Sequence, residues 1–275
     1  MIGRRMGLGI VMCTLSSFVR ILIVAIISSV LVSCVAAPVD EAKSFVAAVA
    51  ATKTASDALC DQLDVAERQL QIRRIERQTI NNFAVQNAYY YATIGEPPKT
   101  REFRNAIQIV SSYAALLLNL LEGTNIDAQR GEIITIIQNV ATLAGVTGIG
   151  PVAQELTPLL NQLLLAQSQA EARQLAMAGA PKVANLIVQL KNATPAMFEL
   201  LLANAEPATP AAIKSLKTAL GNYVVTLDDL QQSFMRLLDA YQRPSNPTTL
   251  AGLAELTGKL NADAVAVRQA LVKAH

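Results

Sequence analysis

The sequence predicts an all-α protein, an elongated bundle of about seven helices with long, coiled-coil-like antiparallel members. Three observations carry this. From Ile213 through Leu216, Leu220, Tyr223, Leu227, Leu230, Phe234 and Leu237 to Tyr241, apolar residues step 3, 4, 3, 4 without a break. That spacing keeps one seam of a helix turned toward a partner. Hydrophobic residues make up 52% of the chain, but aromatics supply only 4% and tryptophan none. Such a core is built from Ala, Leu, Ile and Val, as in helices packed on helices. Glycine and proline gather between the periodic segments, and β-branched runs such as 133–137 have helical neighbours, so no strand competes.

The N-terminus comes first. Ile21 to Val32 is apolar, interrupted only by Ser28 and Ser29; Arg4, Arg5 and Arg20 precede it, and no acidic residue occurs before Asp40. A basic flank and a short apolar core make a secretory signal, and the charge asymmetry holds its N-terminal side in the cytoplasm. The run ends in Leu31-Val32-Ser33-Cys34: an aliphatic residue, a tolerant position, a small residue, then cysteine. This resembles the lipobox of bacterial lipoproteins, over the first 34 residues only. The resemblance implies cleavage between Ser33 and Cys34, a diacylglycerol on the Cys34 sulfur and an acyl chain on the new amino group. Residues 1–33 would be discarded, and 34–275 would remain as a single tethered domain. Val35, where an aspartate would favour the inner membrane, implies the outer membrane of a Gram-negative host, on its periplasmic face or at the cell surface. A start at Met12 gives a tidier signal than Met1 or Met6. The competing expectation is a retained transmembrane helix, although 21–38 falls slightly short of the roughly 20 residues a span requires.

The remaining elements follow in order. Phe45, Val49, Thr52, Ser56, Leu59, Leu63, Ala66 and Leu70 alternate steps of 4 and 3, and no Pro or Gly occurs between Asp40 and Tyr91. The spacing predicts one helix over that whole range, roughly 75 Å long, with a change of register near "QIRRIERQ". Thr100 is expected to cap a helix carrying Phe103, Ile107, Val110, Ala114, Leu117 and Leu121. A helix over 133–144 follows, broken by "GVTGIGP". Pro151 opens a segment through Met177, with Pro158 either starting a helix or kinking one. Shorter segments are expected at 181–191 and 195–204. Thr209-Pro210 opens the long helix as cap and first-turn residue. Leu250, Leu253, Thr257, Leu260, Ala264, Val267 and Leu271 repeat the 3, 4 stepping. "RPSNP" between these last two segments predicts an antiparallel hairpin.

Charge and chemistry narrow the function. The whole chain carries 23 basic and 21 acidic residues. Removing 1–33 takes three arginines and no acid, leaving 20 against 21. A near-neutral domain has no electrostatic case for nucleic acid. Cys13 goes with the signal and Cys34 is lipidated, so Cys60 has no disulfide partner in the mature chain and is expected as a small core residue. The only histidine is His275, the last residue. No nucleophile–base pair, phosphate loop or zinc spacing is present, so no enzyme and no cofactor beyond the acyl chains on Cys34 are expected. Asp57, Asp61 and Asp64 share one helix face, as a solvated stripe or a cation site. Arg68, Arg73, Arg74 and Arg77 form a basic face diluted by Glu67 and Glu76. Tyr89, Tyr90 and Tyr91 cannot all point one way, and tyrosines suit binding surfaces. Tyr89, Tyr90, Tyr91, Arg73 and Arg77 are therefore the candidate partner contacts.

The expected function is a membrane-anchored scaffold or partner-binding domain, joined to the membrane through its lipid and to a protein partner or a second copy through its helices. The alternative uses 133–170, which holds a single charged residue, Glu155, as a membrane-perturbing hairpin. In outline this resembles the haemolysin E class of pore-forming toxins, though no motif supports it. A carrier with an apolar cavity between helices is a third expectation.

Overall fold

The computed structural model describes the backbone of residues 9–78, 83–144, 148–204, 209–242 and 247–273, with side chains described in these ranges except at 9–38, 78, 247–250 and 273. The described residues are all-α. They form ten α-helices, not about seven, because the 133–170 region divides and a single-turn helix follows the first. These are α1 (Gly9–Gln78), α2 (Ala88–Tyr91), α3 (Pro98–Leu121), α4 (Ile126–Thr142), α5 (Ile149–Gln154), α6 (Thr157–Leu165), α7 (Gln169–Asn192), α8 (Thr194–Asn204), α9 (Pro210–Gln242) and α10 (Pro247–Lys273).

The heptad seams are the skeleton. Every seam residue of α9 from Leu216 to Leu237 is buried, and so are Leu253, Thr257, Leu260, Ala264, Val267 and Leu271 of α10. The two helices are each other's main neighbour, and Lys259 reaches Asp229 across the pair, the register of an antiparallel hairpin. Each fully buried Leu or Val contributes roughly 1.5–3 kcal/mol relative to exposure. α1 lies against α3, α8, α9 and α10 and buries Phe45, Val49, Thr52, Ser56, Leu59, Leu63 and Ala66, as its spacing predicts. At the centre, Phe45 of α1 meets Phe234 of α9 edge-on at 5.5 Å, and Tyr113 of α3 lies 6.5 Å from the same ring. The Tyr113 hydroxyl donates to the Ala176 carbonyl of α7 at 2.5 Å.

Three boundaries differ from expectation. The first helix is described to Gln78 and has ended by Phe83, short of Tyr91. Beyond Leu70 the seam is lost, with Ile72 and Ile75 only half-buried, and the following Thr-Ile-Asn-Asn is poor helix former. The chain then returns along α1. α7 runs straight through Pro181, which was expected to start a new segment. Its buried positions Ala172, Ala176, Ala180, Val183, Ile187 and Leu190 continue on one face across the proline, so packing outweighs one lost backbone bond. Finally, Pro151–Met177 is not one segment. Gly148 turns the chain with φ +92°, α5 and α6 are short, and Pro158 lies in the first turn of α6 rather than at a kink.

α3 shows how a helix that carries no charge from Asn105 to Leu121 is accommodated. Thr100 is not its N-cap; the helix begins two residues earlier, behind Pro97. Glu67 of α1 caps it from outside. One carboxylate oxygen accepts from Thr100 N at 2.8 Å and Thr100 Oγ1 at 3.0 Å, the other from Lys99 N at 3.2 Å. A negative charge at a helix N-terminus satisfies orphan N–H groups and complements the macrodipole. The opposite end closes in a Schellman motif, Thr124 N donating to Asn119 O and Gly123 N to Leu120 O, with Gly123 at φ +88°. Arg173 and Gln169 of α7 donate to the same final carbonyls.

Candidate functional site

Cys34 and Ser33 lie within the span of α1 but outside the residues whose side chains are described. His275 is also outside the described residues. What the structure shows is how α1 continues from there: Ala42 and Phe45 are already buried. No Gly-rich or Ser-rich linker separates Cys34 from Ala42; the backbone between them is helical.

The Asp57, Asp61 and Asp64 face is used for cross-linking. Arg104 of α3 reaches Asp57 at 3.0 Å, Asp61 at 2.7 Å and Glu96 at 2.5 Å, and Lys53 also pairs with Asp57 at 2.6 Å. Asp64 holds Arg68 through both of its oxygens, each 3.1 Å from Nε. The carboxylates fasten α3 and the loop before it to α1, so the stripe is neither merely solvated nor a cluster of unpaired ligands. Arg104 could not be singled out from sequence, because its three partners lie on two other segments.

The basic face divides in two. Arg68 donates to the carbonyls of Tyr89, Ala92 and Gly95 at 2.5–2.6 Å, pinning the returning chain to α1. Arg73 donates to Ala203 O at 2.6 Å, capping the C-terminal end of α8. Arg74 and Arg77 are exposed. Of the predicted partner contacts, Arg73 thus serves an internal bond, while Arg77 points to solvent.

Tyr89, Tyr90 and Tyr91 all fall on α2. Tyr90 is half-buried, and burial, aided by Glu67, raises its hydroxyl pKa. Tyr89 and Tyr91 are exposed, and the Arg101 guanidinium lies 5.0 Å from the Tyr89 ring centroid. Sequence reasoning missed the neighbours of this triplet: Phe83, Val85 and Ile94 are 71%, 79% and 80% exposed. The sequence signal was present: Phe83 and Val85 depart from the helical spacing in a stretch expected as helix, and Ile94 lies in the segment expected to end it.

Cys60 is buried and free, and burial pushes its thiol up to about 12, which leaves it unreactive. Among the described residues no group of three His, Cys, Asp or Glu is placed to hold a metal. A groove of about 340 Å³ between α9 and α10 is open to solvent and of mixed character, lined by Lys214, Ser215, Thr218, Asn222, Ala266 and Ala270 among others. Among the residues whose side chains are described, no helix is long and apolar enough to cross a membrane, and the 21–38 run lies outside them. The 133–170 region buries Ile133, Ile136, Val140, Ile149, Ala153, Leu156, Leu160 and Leu163 in the common core. Its outward positions include Gln138, Gln154, Asn161 and Gln162. Against this structure and sequence, a scan of protein-family models, a search of curated proteins and a search of solved structures each return no match.

Proposed function

We propose that this chain is a bacterial lipoprotein of the cell envelope whose helical bundle is a non-catalytic scaffold or partner-binding domain. The observation that carries the proposal is Leu31-Val32-Ser33-Cys34 at the end of an apolar run. Acyl chains on Cys34 fix the protein to a membrane, the outer one in a Gram-negative host; two chains anchor stably where one does not. The helical connection to Ala42 adds a physical consequence. A flexible linker would let the domain wander, whereas a helix transmits the direction of the anchor to the core. The bundle then stands at a set height and orientation.

The side chains favour binding over chemistry. Asp57, Asp61, Glu96, Asp64, Glu155 and Asp228 are committed to ion pairs that join helices or hold local structure. The second reading, membrane perturbation by 133–170, has less support, because its second arm is divided into the short helices α5 and α6, folded onto α7, and its first arm, in α4, packs on α3.

The test is Cys34→Ala. The proposal predicts that the variant accumulates as an uncleaved precursor or leaves the membrane fraction. Normal maturation and unchanged fractionation would overturn it. Dye leakage from liposomes exposed to the purified full-length protein would favour the second reading instead.

A further inference from the structure

The exposed cluster at the α1–α3 connection has features of a built surface. Phe83, Val85, Tyr89, Tyr91 and Ile94 all project from one segment of the chain. Single exposed apolar residues are ordinary, but five between positions 83 and 94 exceed that scatter. The backbone beneath it is held firmly: one guanidinium, Arg68, gathers three of its carbonyls and is itself gripped by Asp64. Gly95, at φ +74°, makes the turn that brings its carbonyl to Arg68 and packs beside the Tyr89 ring. A surface ordered in advance loses less entropy on binding.

The rim is cationic. Arg74 and Arg77 of α1 and Lys99 of α3 are exposed, and Arg101 lies over Tyr89. Among the described residues, Arg74, Arg77 and Lys99 enter no salt bridge, whereas Arg68 and Arg104 nearby are fully engaged. The acidic residues at this end are Glu67, Glu76, Glu96 and Glu102. Glu67 is spent on the α3 N-terminus and Glu96 on Arg104. An aromatic and aliphatic centre with a basic rim complements an acidic surface carrying apolar side chains.

We propose that this cluster is a docking site for an acidic protein segment that inserts apolar side chains among Phe83, Tyr89, Tyr91 and Ile94. The choice of protein over lipid rests on the lipid-anchor reading above. α1 is helical from Cys34 to Arg68, which places the cluster about 50 Å along the helix from the anchor. The anchored membrane is at the other end.

The test places p-benzoylphenylalanine at Phe83, and separately at Ile94, in the full-length chain in its own host, followed by irradiation and mass spectrometry of the cross-linked peptides. The mass of the N-terminal peptide is read in the same samples, so failure of the anchor and failure of the docking site are distinguished. The proposal predicts adducts on another protein, through a peptide of net negative charge containing Leu, Ile, Val or Phe. Combined Arg77→Glu and Lys99→Glu should lower the adduct yield on the order of tenfold, since like charges then face each other. Adducts to lipid alone, to this chain alone, to basic or uncharged peptides, or none above the unirradiated sample would each overturn it.

Discussion

Glu67 is a carboxylate only 1% exposed with no cation on it among the described residues. Its compensation is the N-terminus of α3, three donors within 3.2 Å. Removing the acceptor strands those donors in a site closed to water, which makes Glu67→Ala costly by about 3 kcal/mol. Glu67→Gln keeps an oxygen but loses the charge and should cost less. Urea unfolding of the two variants checks the order. Gly179 is a different constraint. A Cβ there would overlap the Tyr113 hydroxyl, whose bond to Ala176 lies beside it. Gly→Ala in a helix normally stabilises by about 1 kcal/mol, yet Gly179→Ala should destabilise. Adding Tyr113→Phe should restore part of the loss, read as the shift in thermal midpoint. Neither residue stands out in the sequence: Glu67 reads as one acid in a mixed run, and Gly179 as a helix break. Their partners are 33 and 66 positions away in the chain, Thr100 and Tyr113.

At the scale of elements, legibility follows the source of each element's stability. α9 and α10 were readable to within a residue or two because their burial repeats locally, seven residues at a time. The Thr209 cap was readable for the same reason, and Ala212 N does donate to its Oγ1 at 3.2 Å. The end of α1 and the passage of α7 through Pro181 were not, because both depend on contacts from elsewhere: Arg68 reaching the returning chain, and a buried face that outlasts a proline. The α9–α10 pair also carries a titration. Lys259 lies 2.9 and 3.0 Å from the two oxygens of Asp229. Asp263 beside it is pushed up to about 6, first by burial and then by Asp229. Glu102 on α3 is raised to about 7, chiefly by burial. Both groups hold protons in the folded state that an unfolded carboxylate releases near pH 4. Their contribution to stability is therefore full below about pH 4 and is lost as pH rises through 6 to 7. Asp263→Asn should raise the thermal midpoint at pH 7.5, and the gain should vanish near pH 4. An equal gain at both pH values would contradict the assignment.

For the whole molecule, one helix joins the two ends of the account. α1 carries Cys34, the proposed lipid-attachment residue, packs against α3, α8, α9 and α10, and leads toward the exposed aromatic and basic cluster. Fold class was legible from composition and periodicity. The candidate site was legible only in part: the tyrosines and Arg77 were named, but Phe83 and Val85 lay inside an assumed helix and Ile94 in the segment just after it. Their segment is held back on α1 by Arg68, a tertiary contact that the local sequence does not announce. The most direct measurement is the mass of the N-terminal peptide of the protein purified from membranes. The account predicts a peptide beginning at Cys34 and heavier by two or three acyl chains. An unmodified N-terminus that still carries residues 21–33 would contradict it and make that run a permanent part of the protein.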